Sequence, residues 1–417
     1  MFSTGHQSTM ADRRSFLQFM GLLSGWRIRL HSNLAAPLPP SAIYEELGVQ
    51  PFINAGGAFT NFGGALMHDE VLQTMQEVSR HSISITELQE AVGKQIAAML
   101  GCEAALVTAG CASALALATA ACVAGRDPEK IHRIPDASGM KNEVVVQKTH
   151  RFEYDHAIRN VGAKFVEIET SDELKAVISD RTAMLFFVNS FDAKGKIHRE
   201  EFARLANGLK IPALIDAAAD LPPVENLWAL TRMGYDLVAF SGGKSLRGPQ
   251  CSGLLLGKKE LVEAAFLNDS PHSDSVGRVS KVGKEEIVGL YRALQLFVQA
   301  DHNAERSEWE RRVSVIAGEL STIPGVKTEM VIPEVPHNRP QLNLQWDRER
   351  ISLSPKDIVG MLRSGSPRIE LTPGSEESST GLDVTVWMLR PNEETIVAQR
   401  LSEILTRGSR NPHSGAS

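Results

Sequence analysis

Seven short apolar runs, Ala104–Val107, Val144–Val146, Phe165–Ile168, Met184–Val188, Ala213–Ile215, Leu237–Phe240 and Gly253–Leu256, punctuate the middle of this chain. Most are separated by segments of helical length. Runs this short, rich in Val, Ile, Leu and Phe, read as buried strands. Strands joined by helical crossovers lie parallel, and a parallel sheet is covered by helices on both faces. The expected fold class is therefore α/β, with a mostly parallel seven-stranded sheet between helices. The last two runs are joined by too few residues for a crossover helix, so their pairing is expected to be antiparallel or otherwise irregular. With 417 residues, 42% hydrophobic and 23% charged, the chain has material for one large α/β domain and a smaller one.

Ligands of open α/β sheets gather outside the carboxyl ends of the strands, and two chemically capable residues fall there. The run ending at Phe240 is followed by Ser241-Gly242-Gly243-Lys244-Ser245-Leu246-Arg247-Gly248-Pro249-Gln250, which delivers Lys244 into a glycine-lined turn. An enclosed lysine is rare unless its amine is used, and a partly desolvated amine attacks carbonyls to form a Schiff base. Upstream, Ile211-Pro212-Ala213-Leu214-Ile215-Asp216 ends a strand on a carboxylate. A lysine and a carboxylate facing one ligand suit pyridoxal 5'-phosphate, whose aldehyde needs an amine and whose ring nitrogen stays protonated beside an acid. At ~3 Å and an effective dielectric of ~20 that attraction is on the order of several kcal/mol. A third segment, Val107-Thr108-Ala109-Gly110-Cys111-Ala112-Ser113, runs from strand to helix through small residues. Such a turn lets backbone amides approach a phosphate at a helix N-terminus.

The order of the Gly110-Cys111-Ala112 turn, Asp216 and Ser241-Gly242-Gly243-Lys244 resembles fold-type I pyridoxal phosphate enzymes. Within them, Phe240–Gly253 and the opening Ile53-Asn54-Ala55-Gly56-Gly57-Ala58 are similar to the selenocysteine synthase (L-seryl-tRNA(Sec) selenium transferase) family, including its D-glucosaminate-6-phosphate ammonia-lyase-like members. The likeness runs over about residues 41–408. It implies that Lys244 forms the imine and moves protons at the substrate α-carbon. It further implies that Asp216 pairs with the pyridinium and that Ser241 and the amides of Gly110, Cys111 and Ala112 hold the phosphate. His150 would stack on the ring and Asn189 would bond the phenolic oxygen. Many fold-type I enzymes place His or Gln three residues beyond the pyridinium-pairing Asp, whereas Ala219 stands there in this chain. An arginine fork for a substrate acid group is open among Arg247, Arg368, Arg151 and Arg390, with Arg247 tied to the lysine turn by position. Active sites between subunits imply a homodimer or higher homo-oligomer.

The expected domains are a leader over 1–40, a large cofactor-binding domain over 41–283 with an N-terminal arm, a linking helix and small α+β C-terminal domain over 284–408, and a disordered tail over 409–417. One long helix is expected over Glu285–Glu319, strands at Gln341–Trp346, Ile369–Leu371 and Asp383–Leu389, and a closing helix at Glu393–Leu405. Pro333–Pro340 reads as a turn-rich connection, and the polar loop Asp269–Ser275 as a border of the site or a mobile segment. Asp12-Arg13-Arg14-Ser15-Phe16-Leu17-Gln18 matches a twin-arginine export signal, with Arg27 and Arg29 closing a short apolar core. Periplasmic localisation is the expectation from it, the cytoplasm the alternative. No segment reaches the ~18 apolar residues of a membrane span. Cys102, Cys111, Cys122 and Cys251 lack paired ligand spacing, so neither a metal site nor a disulfide set is expected. With 44 basic against 50 acidic residues and no basic run near either end, a tRNA polyanion is disfavoured as a partner. The resulting expectation is a lyase or transferase that eliminates or replaces a β-substituent on a small amino acid or amino sugar acid. The selenium transferase itself and a catalytically inactive pyridoxal phosphate-binding regulatory protein are the alternatives. Transamination and racemisation start from the same chemistry and stay open.

Overall fold

Runs of β-branched and large apolar residues form the strands because each packs on both faces of a sheet sealed by helices. In chain order the strands are β1 (Ile53–Asn54), β2 (Ala104–Thr108), β3 (Glu143–Gln147), β4 (Lys164–Ile168), β5 (Thr182–Val188), β6 (Ala213–Asp216), β7 (Leu237–Ser241), β8 (Gly253–Gly257), β9 (Val326–Val331), β10 (Gln341–Trp346), β11 (Ile369–Glu370) and β12 (Leu382–Thr385). The computed structural model describes residues 41–334, 338–379 and 381–409. The twin-arginine pattern and residues 410–417 lie outside them, as does part of the Pro333–Pro340 connection. Residues up to Val49 are a separate unit, in which the described part carries one short helix, Ala42–Glu46.

The central sheet has seven strands in the order β2-β8-β7-β6-β5-β3-β4. All seven apolar runs are strands of it. From β7 to β4 the neighbours are parallel, while β8 lies antiparallel to both β7 and β2. Alternate residues feed two cores, as a period of two demands. Val145, Phe187, Ile215, Val238 and Leu254 face the helices Ile85–Leu100, Arg199–Leu209 and Lys284–Gln299. Val144, Phe186, Leu214, Ala239 and Leu255 face the helix Cys111–Ala124. Each fully buried large side chain contributes about 1.5–3 kcal/mol.

A third core surrounds the antiparallel sheet β12-β10-β9, packed by Val313 and Ile316 of the helix His302–Leu320 and by Val397 and Leu401 of the helix Glu393–Gly408. Ile53 and Ala55 belong to this core, because β1 pairs in parallel with β11. The arm containing β1 is thus built into the C-terminal substructure. The single helix expected over Glu285–Glu319 is two helices. Asp301 caps the second, its carboxylate accepting from the N–H groups of Asn303 (3.1 Å) and Ala304 (3.0 Å), and Ala300 before it is extended. Two elements were not foreseen, the edge strand β9 and the helix Pro355–Arg363. Asp383–Leu389 is a strand only as far as Thr385. Helix Glu393–Gly408 outruns its expected end at Leu405, and Ser409, expected in the tail, bridges to Ile351. The loop after Leu267 is anchored, with Asn268 and Asp269 fully buried.

Candidate active site at the carboxyl ends of the central strands

Parallel pairing of β6 with β7 places Asp216 opposite Ala239 and brings the residues following β7 to the same end of the sheet. The turn after β7 closes on itself: Gly242 N–H donates to Ser252 O (2.9 Å), Gly248 N–H to Gly242 O (2.9 Å) and Arg247 N–H to Lys244 O (2.9 Å). A Cβ on Gly242 would lie 2.1 Å from Ser252 Oγ, so only glycine allows this closure. Lys244 is half-buried within it. Asp216 is buried, and its Oδ1 accepts from Ala218 N–H (2.9 Å) with Cys111 Sγ at 3.8 Å. Burial pushes its carboxyl up, and the Ala218 N–H, the Lys244 charge and the Cys111 thiol oppose that rise. Burial and the neighbouring Asp216 push the Cys111 thiol well up, so its side chain stays a neutral thiol.

Opposite this pair stands the N-terminus of the helix Cys111–Ala124. Its first intrahelical bond is Ala114 N–H to Gly110 O (3.1 Å), which leaves the amides of Cys111, Ala112 and Ser113 without intrahelical acceptors. Gly110 has φ 101°, and β8 passes so close that a Cβ on Gly253 would meet the Gly110 carbonyl carbon at 2.4 Å. The Ser113 hydroxyl, buried at the third helical position, has no hydrogen-bond partner. Three free amides, an orphan hydroxyl and the positive end of a helix suit a phosphate. Ser241, ending β7, is half-buried and pairs with Gly253 on β8.

Asn189 follows Val188, the residue of β5 registered with Asp216. Its Oδ1 accepts from Arg199 Nη1 (3.4 Å), leaving Nδ2 a buried donor without a partner. His150 is completely buried, with Nδ1 accepting from Val188 N–H (3.2 Å) and its ring edge-on to Phe187 at 4.4 Å. Burial lowers its pKa to about 4, so the ring is neutral. Phe191 meets the same ring edge-on at 6.3 Å. Sequence reasoning passed over Asp220, a buried carboxyl whose two oxygens both lack hydrogen bonds of sound geometry.

The arginines divide. Arg368 pairs with Glu370, which also holds Arg363 (3.0 Å), and Arg151 pairs with Asp155 and Glu167. Both guanidinium groups are thus held in ion pairs. Arg247, with the uncommon φ of 53°, donates from Nε to Leu66 O (2.8 Å) and lines a cavity of about 280 Å³ with Arg312, Arg390 and Trp387. Beside that cavity lies Arg339, missed in the sequence. Its guanidinium stacks 3.9 Å over Trp387, is 4% exposed, and keeps Nε and Nη1 unpartnered, so burial pushes its pKa down to about 9. A larger cavity of about 820 Å³, beside Gln89 and Lys94 near the outer edge strand β2, contains none of these groups.

Comparison with known proteins places this geometry. A family model described as SelA: L-seryl-tRNA selenium transferase matches residues 52–313. The 5'-C-glycyluridine monooxygenase-decarboxylase of Streptomyces sp is 29% identical over 377 residues, covering 87% of this chain and 92% of that protein. The D-glucosaminate-6-phosphate ammonia lyase of Salmonella typhimurium is 28% identical over 334 residues, covering 78% and 87%. A solved structure of D-glucosaminate-6-phosphate ammonia-lyase superposes with a TM-score of 0.77 at 26% identity, covering 89% of this chain and all of that one.

Proposed function

The chain belongs to the L-seryl-tRNA selenium transferase family of enzymes, and we propose that it carries pyridoxal 5'-phosphate on Lys244 and eliminates or replaces a β-substituent of a small amino acid or amino sugar acid. The observation that carries this reading is the convergence of Lys244 and Asp216 on adjacent strand ends, close enough for the lysine charge to act on the acid. The donor set fits the cofactor: the amides of Cys111, Ala112 and Ser113 and the orphan Ser113 hydroxyl suit its phosphate, and the orphan Asn189 Nδ2 suits its phenolic oxygen. Bound there, the cofactor supplies an electron sink for a carbanion at the substrate α-carbon.

The chain's own residues do the rest. Asp216, anchored by Ala218 N–H, sets negative charge where a ring nitrogen must stay protonated. Lys244 takes the α-proton and returns it. Arg247, with Arg390 across the cavity, orients an acid group of the substrate. The active unit is a homodimer or higher homo-oligomer, and the twin-arginine pattern at Arg13-Arg14 supports export of the folded, loaded chain. Cell fractionation checks the latter.

The purified protein is expected to absorb near the visible edge, to be bleached by borohydride, and to lose the band in Lys244→Ala; a colourless protein sinks the reading. A panel of D- and L-amino acids and amino sugar acids then reads out keto-acid or ammonia release, with oxygen consumption included because of the Streptomyces relative. Selenium transfer is the second reading, favoured by the matching family description. The balance of 44 basic and 50 acidic residues speaks against it, and salt-sensitive binding of seryl-tRNA would restore it.

A further inference from the structure

Asp220 follows Ala219, the position at which many fold-type I enzymes carry a hydrogen-bonding side chain. Its backbone is pinned on both sides, N–H to Ala217 O (3.2 Å) and O from Asn226 Nδ2 (2.7 Å). The next residue, Leu221, accepts a hydrogen bond from Ser245 Oγ, which ties this segment to the lysine turn. The carboxyl is 3% exposed and neither oxygen makes a hydrogen bond of sound geometry, the Asn189 side-chain amide beside it being a weak donor. Five groups face it: Asp216 at the end of β6, Asn189 after β5, Cys111 at the helix start, Arg199 on the helix Arg199–Leu209, and Lys244.

An ionised carboxylate in such a place, weakly hydrogen-bonded and beside a second acid, costs several kcal/mol unless it takes up a proton. Asp216 receives Ala218 N–H at 2.9 Å and Asp220 only the weaker Asn189 amide, so the two acids are pushed apart in character. We propose that Asp220 is a positioning residue of this site, a neutral acid behind Asn189 whose ionisation, releasing one proton to solvent, sets the charge felt at Lys244. Burial and the Asp216 charge raise its pKa to about 7, with Asn189, Lys244 and Arg199 opposing, so that ionisation falls in the neutral range.

Two measurements test this, and only the second rests on the cofactor reading. In the cofactor-free chain, infrared difference spectra between about pH 5 and about pH 9 are expected to show a carboxylic-acid signal lost with a midpoint near 7. Part of that signal is absent in Asp220→Asn, and a second, separate part, that of Asp269, is absent in Asp269→Asn, the two losses adding in the double variant. Equal signals in wild type and Asp220→Asn overturn the proposal. In the loaded chain, the pH at which the visible band changes form is expected to move down by about half a unit or more in Asp220→Asn, since a negative charge near a protonated nitrogen is removed. An unmoved midpoint overturns the coupling to Lys244. Should Asp220→Asn fail to fold, wild type with isotope-labelled aspartate suffices: no aspartic acid titrating in the neutral range overturns the assignment. A chain lacking the visible band fails the cofactor reading and leaves the infrared result standing.

Discussion

At the scale of single residues, chemistry follows from which polar atoms are left without partners. Ser113 is the sharpest case, a buried hydroxyl at a helix N-terminus with nothing to bond. Ser113→Ala is expected to weaken cofactor binding about tenfold or more, the size of one hydrogen bond to a charged group, measured by fluorescence titration of the cofactor-free chain; unchanged affinity would remove Ser113 from the phosphate. Lys244 and Asp216 were legible in the sequence because one follows and the other ends an apolar run, and a strand end is a place as well as a pattern. Ser113, Asp220 and Arg339 were not, since Ser, Asp and Arg are ordinary surface residues until burial strips their partners away. His150 shows the converse. Its stacking role was implied by the resemblance alone, and what the structure adds is burial, an edge-on contact with Phe187 and a bond from Val188 N–H.

Elements obey local rules until packing overrides them. The break between helices Lys284–Gln299 and His302–Leu320 is written in Asp301, whose carboxylate satisfies two amides of the second helix. Asp301→Ala is expected to cost about 1 kcal/mol, read from the urea midpoint, with no change in cofactor binding. Helix Pro355–Arg363 carried its own signal as well, Ser354 and Asp357 forming a capping box. Strand β9 gave little signal because an exposed edge strand needs few apolar residues, and its burial is only intermediate at best. Close passage of β8 under the phosphate turn is set by Gly253. Gly253→Ala forces its Cβ against the Gly110 backbone, with an expected loss of about 1–3 kcal/mol in stability and weaker cofactor binding, checked by denaturation and titration together.

On the scale of the whole molecule, buried acids make stability depend on pH in an unusual direction. Asp269 is fully buried with one oxygen unpartnered, and burial raises its pKa from 3.8 to about 7. Between those values the folded chain keeps a proton that the unfolded chain has released, so its contribution to stability falls as pH rises. His150, lowered by burial from 6.5 to about 4, acts oppositely: the unfolded chain binds a proton that the folded one refuses, and stability rises over that window. The stability of Asp269→Asn relative to wild type, both cofactor-free, is therefore expected to increase from about pH 4 to about pH 7 and then level off; a flat difference in urea unfolding would contradict the assignment. The sequence by itself determined the seven strands of the central sheet, the aspartate that ends β6 and the lysine in the turn after β7, because hydrophobic period and turn chemistry act over a few residues. Only the tertiary structure decided that β1 joins a core more than three hundred residues downstream and that Asp220, Asp269 and Arg339 lie buried with unsatisfied polar atoms, because burial and desolvation belong to contacts between distant segments and leave no local pattern.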